Sequence, residues 1–193
     1  MRSLDIIPEC SIDTTLVESI TSDYQSKFYY NHQKGCNTVC KEMRDRFADS
    51  FAVGIIDDDK KKDKYIEEFN VVNFNLQIEV PIKLLKHNNK NHYIILVQED
   101  AESFILNAFL ESGVEPSLYG LPNNKKELKD NFTEFDFDRK HDVYRRFHYI
   151  FQQLKSNSVS LNILSFWVTY LRDNNYNANL DYLIQQTNAI INS

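Results

Sequence analysis

The chain has 193 residues, of which 42% are hydrophobic and 13% aromatic, enough for one domain with a substantial core. Its formal net charge of −6 disfavours a protein that coats nucleic acid through bulk electrostatics. No stretch approaches the roughly 18–20 uninterrupted apolar residues of a membrane span, and the first residues lack the apolar core of a secretory signal. We therefore expect no association with a membrane.

The three cysteines, Cys10, Cys36 and Cys40, are an odd number. The spacing of Cys36 and Cys40 matches one face of a helix better than a zinc knuckle. We therefore expect reduced thiols in a cytoplasmic protein. A zinc site formed by these cysteines with His32 is the disfavoured alternative.

The first half of the chain alternates between short apolar runs and amphipathic segments, as in α/β proteins. Predicted strands cover residues 4–7, 28–30 and 51–56. Predicted helices cover residues 15–24, capped by Asp13 or Thr14, and residues 37–47. Right-handed crossovers would make the three strands parallel.

The second half begins with two more predicted strands and then becomes helical. Residues 63–72 indicate a short helix or an irregular excursion, and residues 82–86 and 92–97 a hairpin or two sheet strands. Predicted helices follow at about 102–110, within the charged segment 123–142, and at 141–155, 161–171 and 180–191.

These elements predict an α/β fold with a mostly parallel central sheet flanked by helices and an α-helical C-terminal extension. We divide the chain into an α/β domain, residues 1–116, and a helical C-terminal region, residues 117–193, packed on it.

Three consecutive aspartates, Asp57, Asp58 and Asp59, follow the most apolar predicted strand. Their like charges repel, and a folded chain keeps them close mainly when a cation or a basic partner offsets the repulsion. The alternative is a solvated acidic turn, which the three following lysines also fit.

Two further acidic pairs follow predicted strands: Glu9 with Asp13, and Glu99 with Glu102. Because the carboxyl ends of parallel strands meet at one edge of a sheet, these acids and the aspartates could share a site. Carboxylate oxygens are the ligands that Mg²⁺ prefers, and two ions roughly 4 Å apart would stabilise both reacting oxygens of a phosphodiester. The pattern therefore predicts a site for Mg²⁺ or Mn²⁺.

Two of these acidic clusters carry a family resemblance. The segment Glu9-Cys10-Ser11-Ile12-Asp13 resembles the Glu-Gly-x-x-Asp motif that opens a Toprim domain, and Asp57-Asp58-Asp59 resembles its Asp-x-Asp motif. Toprim domains occur in topoisomerases, bacterial primases, recombination proteins and OLD-family nucleases. They are compact α/β folds that use Mg²⁺ to make or break phosphodiester bonds. The resemblance covers about residues 1–110.

The resemblance implies catalytic roles for Glu9, Asp57 and Asp59, with Glu9 as a general acid/base or a metal ligand. Glu102 is the better match for the residue that serves a second metal in the OLD branch, and Glu99 is its substitute. The full set of implied metal ligands is Glu9, Asp13, Asp57, Asp59, Glu99 and Glu102.

The implied function is a divalent-metal-dependent nuclease acting on DNA or RNA, and the OLD family adds an expectation of phage defence.

The chain departs from the family at Cys10, where a glycine is usual, and at Lys60, where a glycine often follows the aspartates. It also lacks a Gly-x-x-x-x-Gly-Lys-Ser/Thr motif. Three alternatives remain: a stand-alone nuclease, a subunit that needs a protein partner or a second copy, and an inactive Toprim-like interaction module. A receiver-like domain is disfavoured because Gln98 and Glu99 stand where its phosphate-contacting lysine is expected.

Several other polar and aromatic groups have simpler explanations. Intrahelical ion pairing explains the basic helix face better than phosphate binding; that face consists of His141, Arg145, Arg146 and His148. A polar turn explains His32, Lys34 and Gly35. Helical spacing predicts that Trp167 lies in the core rather than stacking on bases.

Overall fold

The computed structural model describes residues 2–22, 29–58, 63–74, 76, 78–133 and 142–192. Its strands are β1 (Arg2–Ser3), β2 (Ile6–Pro8), β3 (Tyr29–Tyr30), β4 (Ala52–Asp57), β5 (Phe69–Val71), β6 (Ile82–His87) and β7 (His92–Val97). Its helices are α1 (Ser11–Thr21), α2 (Cys36–Lys41), α3 (Ala101–Glu111), α4 (Lys125–Thr133), α5 (Asp142–Lys155), α6 (Val159–Asn174) and α7 (Leu180–Ile191). A π-helical turn, Glu42–Arg46, continues α2, and 3₁₀ turns cover Lys64–Glu68, Pro116–Tyr119 and Asn175–Asn177.

The central sheet has five strands in the order β2-β4-β7-β6-β5. Strand β4 is parallel to both β2 and β7, whereas β6 is antiparallel to its neighbours β7 and β5. Four of the five strands therefore run in the same direction, which confirms the predicted α/β fold with a mostly parallel sheet. The apolar runs that form β4 and β7 are buried on both faces, as expected for central strands.

The second predicted strand lies outside this sheet, contrary to expectation. Residues 29–30 pair with β1 in a separate two-stranded parallel sheet. The chain then runs beside β2, where Asn31 N donates to Ile6 O at 2.9 Å and Gln33 N donates to Pro8 O at 3.0 Å. These bonds cover the free edge of β2 with irregular backbone.

The first helix begins four residues earlier than the pattern predicts, at Ser11. Its N-cap is Cys10, whose Sγ accepts a hydrogen bond from Asp13 N at 3.5 Å. The prediction of Asp13 or Thr14 as the cap was wrong. Strand β2 ends at Pro8, and the helix begins only three residues later, so the N-cap falls at Cys10. Asp13 consequently lies inside the first turn, and it is buried.

The second predicted helix, residues 37–47, forms as α2 and its π-helical continuation. Cys36 and Cys40 lie on its buried side, as their spacing predicts, and neither forms a disulfide. The predicted excursion at residues 63–72 becomes a 3₁₀ turn followed by the edge strand β5.

The three C-terminal helices confirm the helical periodicity of that region. The predicted segments 141–155, 161–171 and 180–191 form α5, α6 and α7. Among the residues that the structure describes, no helix combines the length and the apolar character that crossing a bilayer requires.

Helices cover both faces of the sheet. The larger core lies under α1, α3, α5 and α6 and joins Ile6 and Ile55 of the sheet to Leu164 of α6 and Leu183 of α7. A smaller core lies on the opposite face under α2. The C-terminal helices thus share one core with the sheet, and the boundary at residue 116 stays a prediction.

Trp167 lies in this core and is 1% exposed. Its ring stacks on Phe74 with a centroid separation of 4.8 Å, and its Nε1 donates to Thr187 Oγ1 at 2.8 Å. The prediction that this residue packs in the core is confirmed.

Gly54 in β4 allows α2 to approach the sheet closely. A Cβ atom at this position would lie 2.8 Å from Met43 Sδ and 3.0 Å from Val39 Cγ1. We expect Gly54→Val to lower the free energy of unfolding by about 2 kcal/mol, measured by urea denaturation, because the added atoms overpack this contact. Val71→Ile, at an exposed position of β5, should leave the urea midpoint unchanged. Equal midpoints for the wild type and Gly54→Val would contradict the close approach.

Candidate functional site

Four carboxylates converge where adjacent parallel strands end. Glu9 follows β2, and Asp57 is the last residue of β4. Asp13 lies in the first turn of α1 and Glu102 in the first turn of α3, the helix that follows β7. The neighbouring positions of β2, β4 and β7 therefore bring together acids that are up to 93 positions apart in the sequence, from residue 9 to residue 102.

Hydrogen bonds join Glu9 to the backbone of β4 and Asp13 to the neighbouring Cys10 side chain. Glu9 Oε2 accepts from Asp57 N at 3.1 Å, and Glu9 N donates to Ile55 O at 2.9 Å. Asp13 Oδ2 accepts from Cys10 Sγ at 2.9 Å. Glu9 thus lies directly against the end of β4.

Two carboxylate oxygens in this cluster are buried and lack a donor. Asp13, 1% exposed, has no hydrogen-bond partner for Oδ1 among the described residues, and the same holds for Oδ1 of Asp57. Buried carboxylate oxygens normally accept hydrogen bonds or bind cations, because loss of hydration is costly. These two atoms are therefore available to a cation.

The cluster makes ionisation of its own members unfavourable. Burial, followed by the charges of Asp13, Glu9, Glu102 and Asp100, raises the pKa of Asp57 to about 9. Burial also raises the pKa of Asp13 to about 7; the Cys10 hydrogen bond opposes this effect, and the charges of Glu9 and Glu102 add to it. A positive ion at this edge would offset the repulsion and favour the charged forms.

The carboxylates are close enough to repel but are not preset for chelation. Within the described residues, no group of three or more His, Cys, Asp or Glu side chains is arranged to hold a metal ion. Coulombic repulsion acts over several ångströms, whereas ligation requires oxygens roughly 2.0–2.6 Å from one point. Cation binding here would therefore require the carboxylates to rotate toward a common point. Asp59, the third aspartate of the motif, lies outside the described residues.

Glu102, rather than Glu99, belongs to the cluster. Glu102 is 8% exposed and contributes to the pKa shifts of both Asp13 and Asp57. The Glu99 side chain is 72% exposed, and its Oε2 accepts from Ser103 Oγ at 2.9 Å. Of the two residues that the motif left as alternatives, the structure thus places only Glu102 in the cluster.

Two other acids at this edge have partners of their own. Asp100 caps α3 through Ser103 N at 3.0 Å and forms an ion pair with Lys125 at 2.8 Å. Burial opposes ionisation of Asp100, but these contacts outweigh it and hold its pKa below the usual range. Asp58 Oδ2 lies 3.7 Å from Lys83 Nζ. The neighbours Asp57 and Asp58 therefore meet different environments.

Sequence reasoning did not identify the side chains that support the first turn of α1. Thr14 Oγ1 donates to Cys10 O at 2.8 Å and lies 2.9 Å from His32 Nδ1. His32 follows β3 and reaches the site because that segment runs beside β2. The sequence predicted a polar turn there but carries no signal for this contact.

The basic face of α5 interacts within the protein. Arg145 lies 3.5 Å from Asp142, an ion pair one turn apart, as predicted. Arg146 donates to the Gly120 carbonyl oxygen at 3.0 Å. His141 lies outside the described residues.

No protein-family model matches the chain, and no curated protein or solved structure shows significant similarity to it.

Proposed function

We propose that the chain is a divalent-metal-dependent nuclease of Toprim type that processes phosphodiester bonds of DNA or RNA. One observation carries the proposal: two buried oxygens, one on Asp13 and one on Asp57, receive no hydrogen bond from the described part of the chain and lie in a cluster with Glu9 and Glu102, at the carboxyl ends of parallel strands. This edge is where open α/β sheets place their ligands.

The chemistry of the donor set favours Mg²⁺ or Mn²⁺. Every acid in the cluster offers hard oxygen atoms, which these ions prefer. When bound, such an ion would polarise a phosphate oxygen and activate a water molecule. Asp57 and Asp13 would hold the ion, and Asp59, from the motif, would join them.

Glu9 is proposed as the residue that moves a proton. It is only partly buried, unlike Asp13, and its side chain lies against the Asp57 amide. A carboxylate held at that position could accept a proton from an attacking water and return it to the leaving oxygen.

The test is cleavage of single-stranded and duplex DNA and RNA oligonucleotides with Mg²⁺, with Mn²⁺ and with EDTA. We expect Glu102→Gln to lower metal-dependent cleavage by about 10–100-fold, as loss of a supporting carboxylate does at other metal sites. Glu99→Gln is the matched control and should cleave like the wild type, since its side chain lies in solvent.

Equal losses in Glu102→Gln and Glu99→Gln would contradict the assignment of Glu102. Absence of both cleavage and metal binding would favour the alternative function, a catalytically inactive Toprim-like module that binds a protein partner or a second copy. The three free thiols agree with the proposed cytoplasmic location. The resemblance to OLD-family nucleases extends the proposal to phage defence.

A further inference from the structure

A pocket of about 500 Å³ is lined by residues of β5 and β6, by Gln98 directly after β7 and by Trp167 of α6. Its walls include the apolar side chains of Val72, Phe74 and Leu84, and its polar lining includes Asn73, Lys83 and Gln98. Both its volume and its mixture of apolar walls with a few polar groups are typical of sites for small organic groups.

The pocket and the carboxylates share one strand end. Gln98, which lines the pocket, directly follows Val97, the β7 residue in register with Asp57. Lys83, which lines the pocket, also pairs with Asp58 at 3.7 Å. The pocket and the carboxylate cluster thus have lining residues and acids at the ends of the adjacent strands β7 and β4.

The lining suits a nucleobase. The apolar walls suit the faces of a base, and the side-chain amide of Gln98 can both donate to and accept from a base edge. We propose that this pocket binds an unpaired base of the substrate strand, with the adjacent phosphate at the carboxylate cluster. This inference rests on the proposed nuclease function, and it assigns the substrate class as single-stranded nucleic acid.

Single strands are favoured for a physical reason. A base inside a duplex is stacked and paired, and would have to leave the helix to enter the pocket. An unpaired strand meets no such cost, and its bases expose their hydrogen-bonding edges. The net charge of −6 also disfavours broad contact with the phosphates of a duplex.

The first experiment measures nucleoside binding in EDTA through the fluorescence of Trp167. This is the only tryptophan of the chain, and it both lines the pocket and stacks on Phe74. Nucleosides carry no phosphate and EDTA removes metal ions, so the measurement does not depend on the proposed metal chemistry. We expect saturable binding by the wild type and by Asp57→Asn.

Two variants test the pocket itself. Val72→Phe fills it and should weaken nucleoside binding at least about tenfold, whereas Leu118→Phe, on an exposed 3₁₀ turn, should bind like the wild type. Gln98→Ala leaves the walls in place and should change the preference among the four nucleosides. Circular dichroism spectra like that of the wild type would show that the variants fold.

The outcomes separate this inference from the proposed function. No nucleoside binding by the wild type, or equal binding by Val72→Phe, would overturn the pocket assignment even if the protein cleaves nucleic acid. Nucleoside binding without metal-dependent cleavage would support the pocket and contradict the nuclease. Cleavage of duplexes as fast as single strands would overturn the assigned substrate class.

Discussion

Replacing Asp57 with asparagine is expected to stabilise the metal-free protein and to abolish its binding of Mg²⁺ or Mn²⁺. In the wild type the Asp57 carboxylate has one buried oxygen without a donor among the described residues, and the charges of Asp13, Glu9 and Glu102 act on it. Asparagine keeps the shape and removes the charge. We expect a gain of on the order of 2 kcal/mol in the free energy of unfolding at alkaline pH, because an unpaired buried charge costs that much or more.

The gain should depend on pH in a defined direction. The pKa of Asp57 is raised to about 9 from an ordinary value of 3.8, so the folded protein holds this proton more tightly than the unfolded chain. Stability from the protonated carboxyl is therefore fully present below pH 3.8 and is lost as the pH rises through about 9. Asp13, with its pKa raised to about 7, acts in the same direction.

Thermal unfolding in EDTA across this pH range would measure the effect. The difference between Asp57→Asn and the wild type should grow from acid to alkaline pH. Asp58→Asn is the matched control: it removes the neighbouring charge, but that charge is paired with Lys83, so no gain is expected. A pH-independent difference would contradict the coupling of Asp57 to the cluster.

Metal binding is measured on the same proteins by isothermal titration and by unfolding with Mg²⁺ or Mn²⁺ added. Added metal should stabilise the wild type increasingly as the pH rises, since binding requires ionised carboxylates. It should stabilise Asp58→Asn similarly and leave Asp57→Asn unchanged. Identical metal affinities for the wild type and Asp57→Asn would refute the site.

Replacing Glu18 with alanine is expected to have the opposite effect, a loss of about 3 kcal/mol in the free energy of unfolding. Glu18 is fully buried on α1, yet its two oxygens accept from Tyr30 N at 2.8 Å and from Tyr144 OH at 2.7 Å. Removing the carboxylate would take from both donors the acceptor that Glu18 provides. It would also remove one hydrogen bond between α1 and β3 and one between α1 and α5.

Asp13→Asn provides a matched comparison on the same helix. Asp13 is as buried as Glu18, but its Oδ1 has no donor within the described residues, so its neutralisation should be neutral or stabilising in EDTA. Urea denaturation of both variants at about pH 8, where the Asp13 carboxyl is largely ionised, would show the contrast. Similar midpoints for Glu18→Ala and the wild type would mean that the Tyr30 and Tyr144 donors find other partners.

The sequence predicted the elements of the fold correctly where local patterns and tertiary packing favour the same secondary structure. The apolar runs of β4 and β7 and the helical periodicity of α5, α6 and α7 predicted their elements within a few residues. The strand predicted at residues 28–30 forms as β3, but its expected place in the central sheet was wrong, because its pairing with β1 depends on how the chain passes the edge of β2. Prediction also failed at the start of α1, where a cysteine forms the cap that serine, threonine, asparagine or aspartate usually forms.

Sequence alone determined the central strands and most of the helices, the α/β class and the placement of acids after three strands, because apolar runs, helical spacing and chain order are local properties. Tertiary structure alone decided which acids act together. Glu99 and Glu102 are three residues apart, yet the Glu99 side chain lies in solvent and Glu102 is buried at the cluster. Glu99 precedes α3 and has a left-handed backbone conformation (φ 61°), whereas Glu102 lies in the first turn of the helix. Asp13 and Glu18 are both buried on α1, but Tyr30 and Tyr144 from distant segments donate to Glu18, whereas Oδ1 of Asp13 has no donor among the described residues. Burial, repulsion and the presence of a donor depend on neighbours from distant parts of the chain, and only the folded arrangement brings those neighbours together.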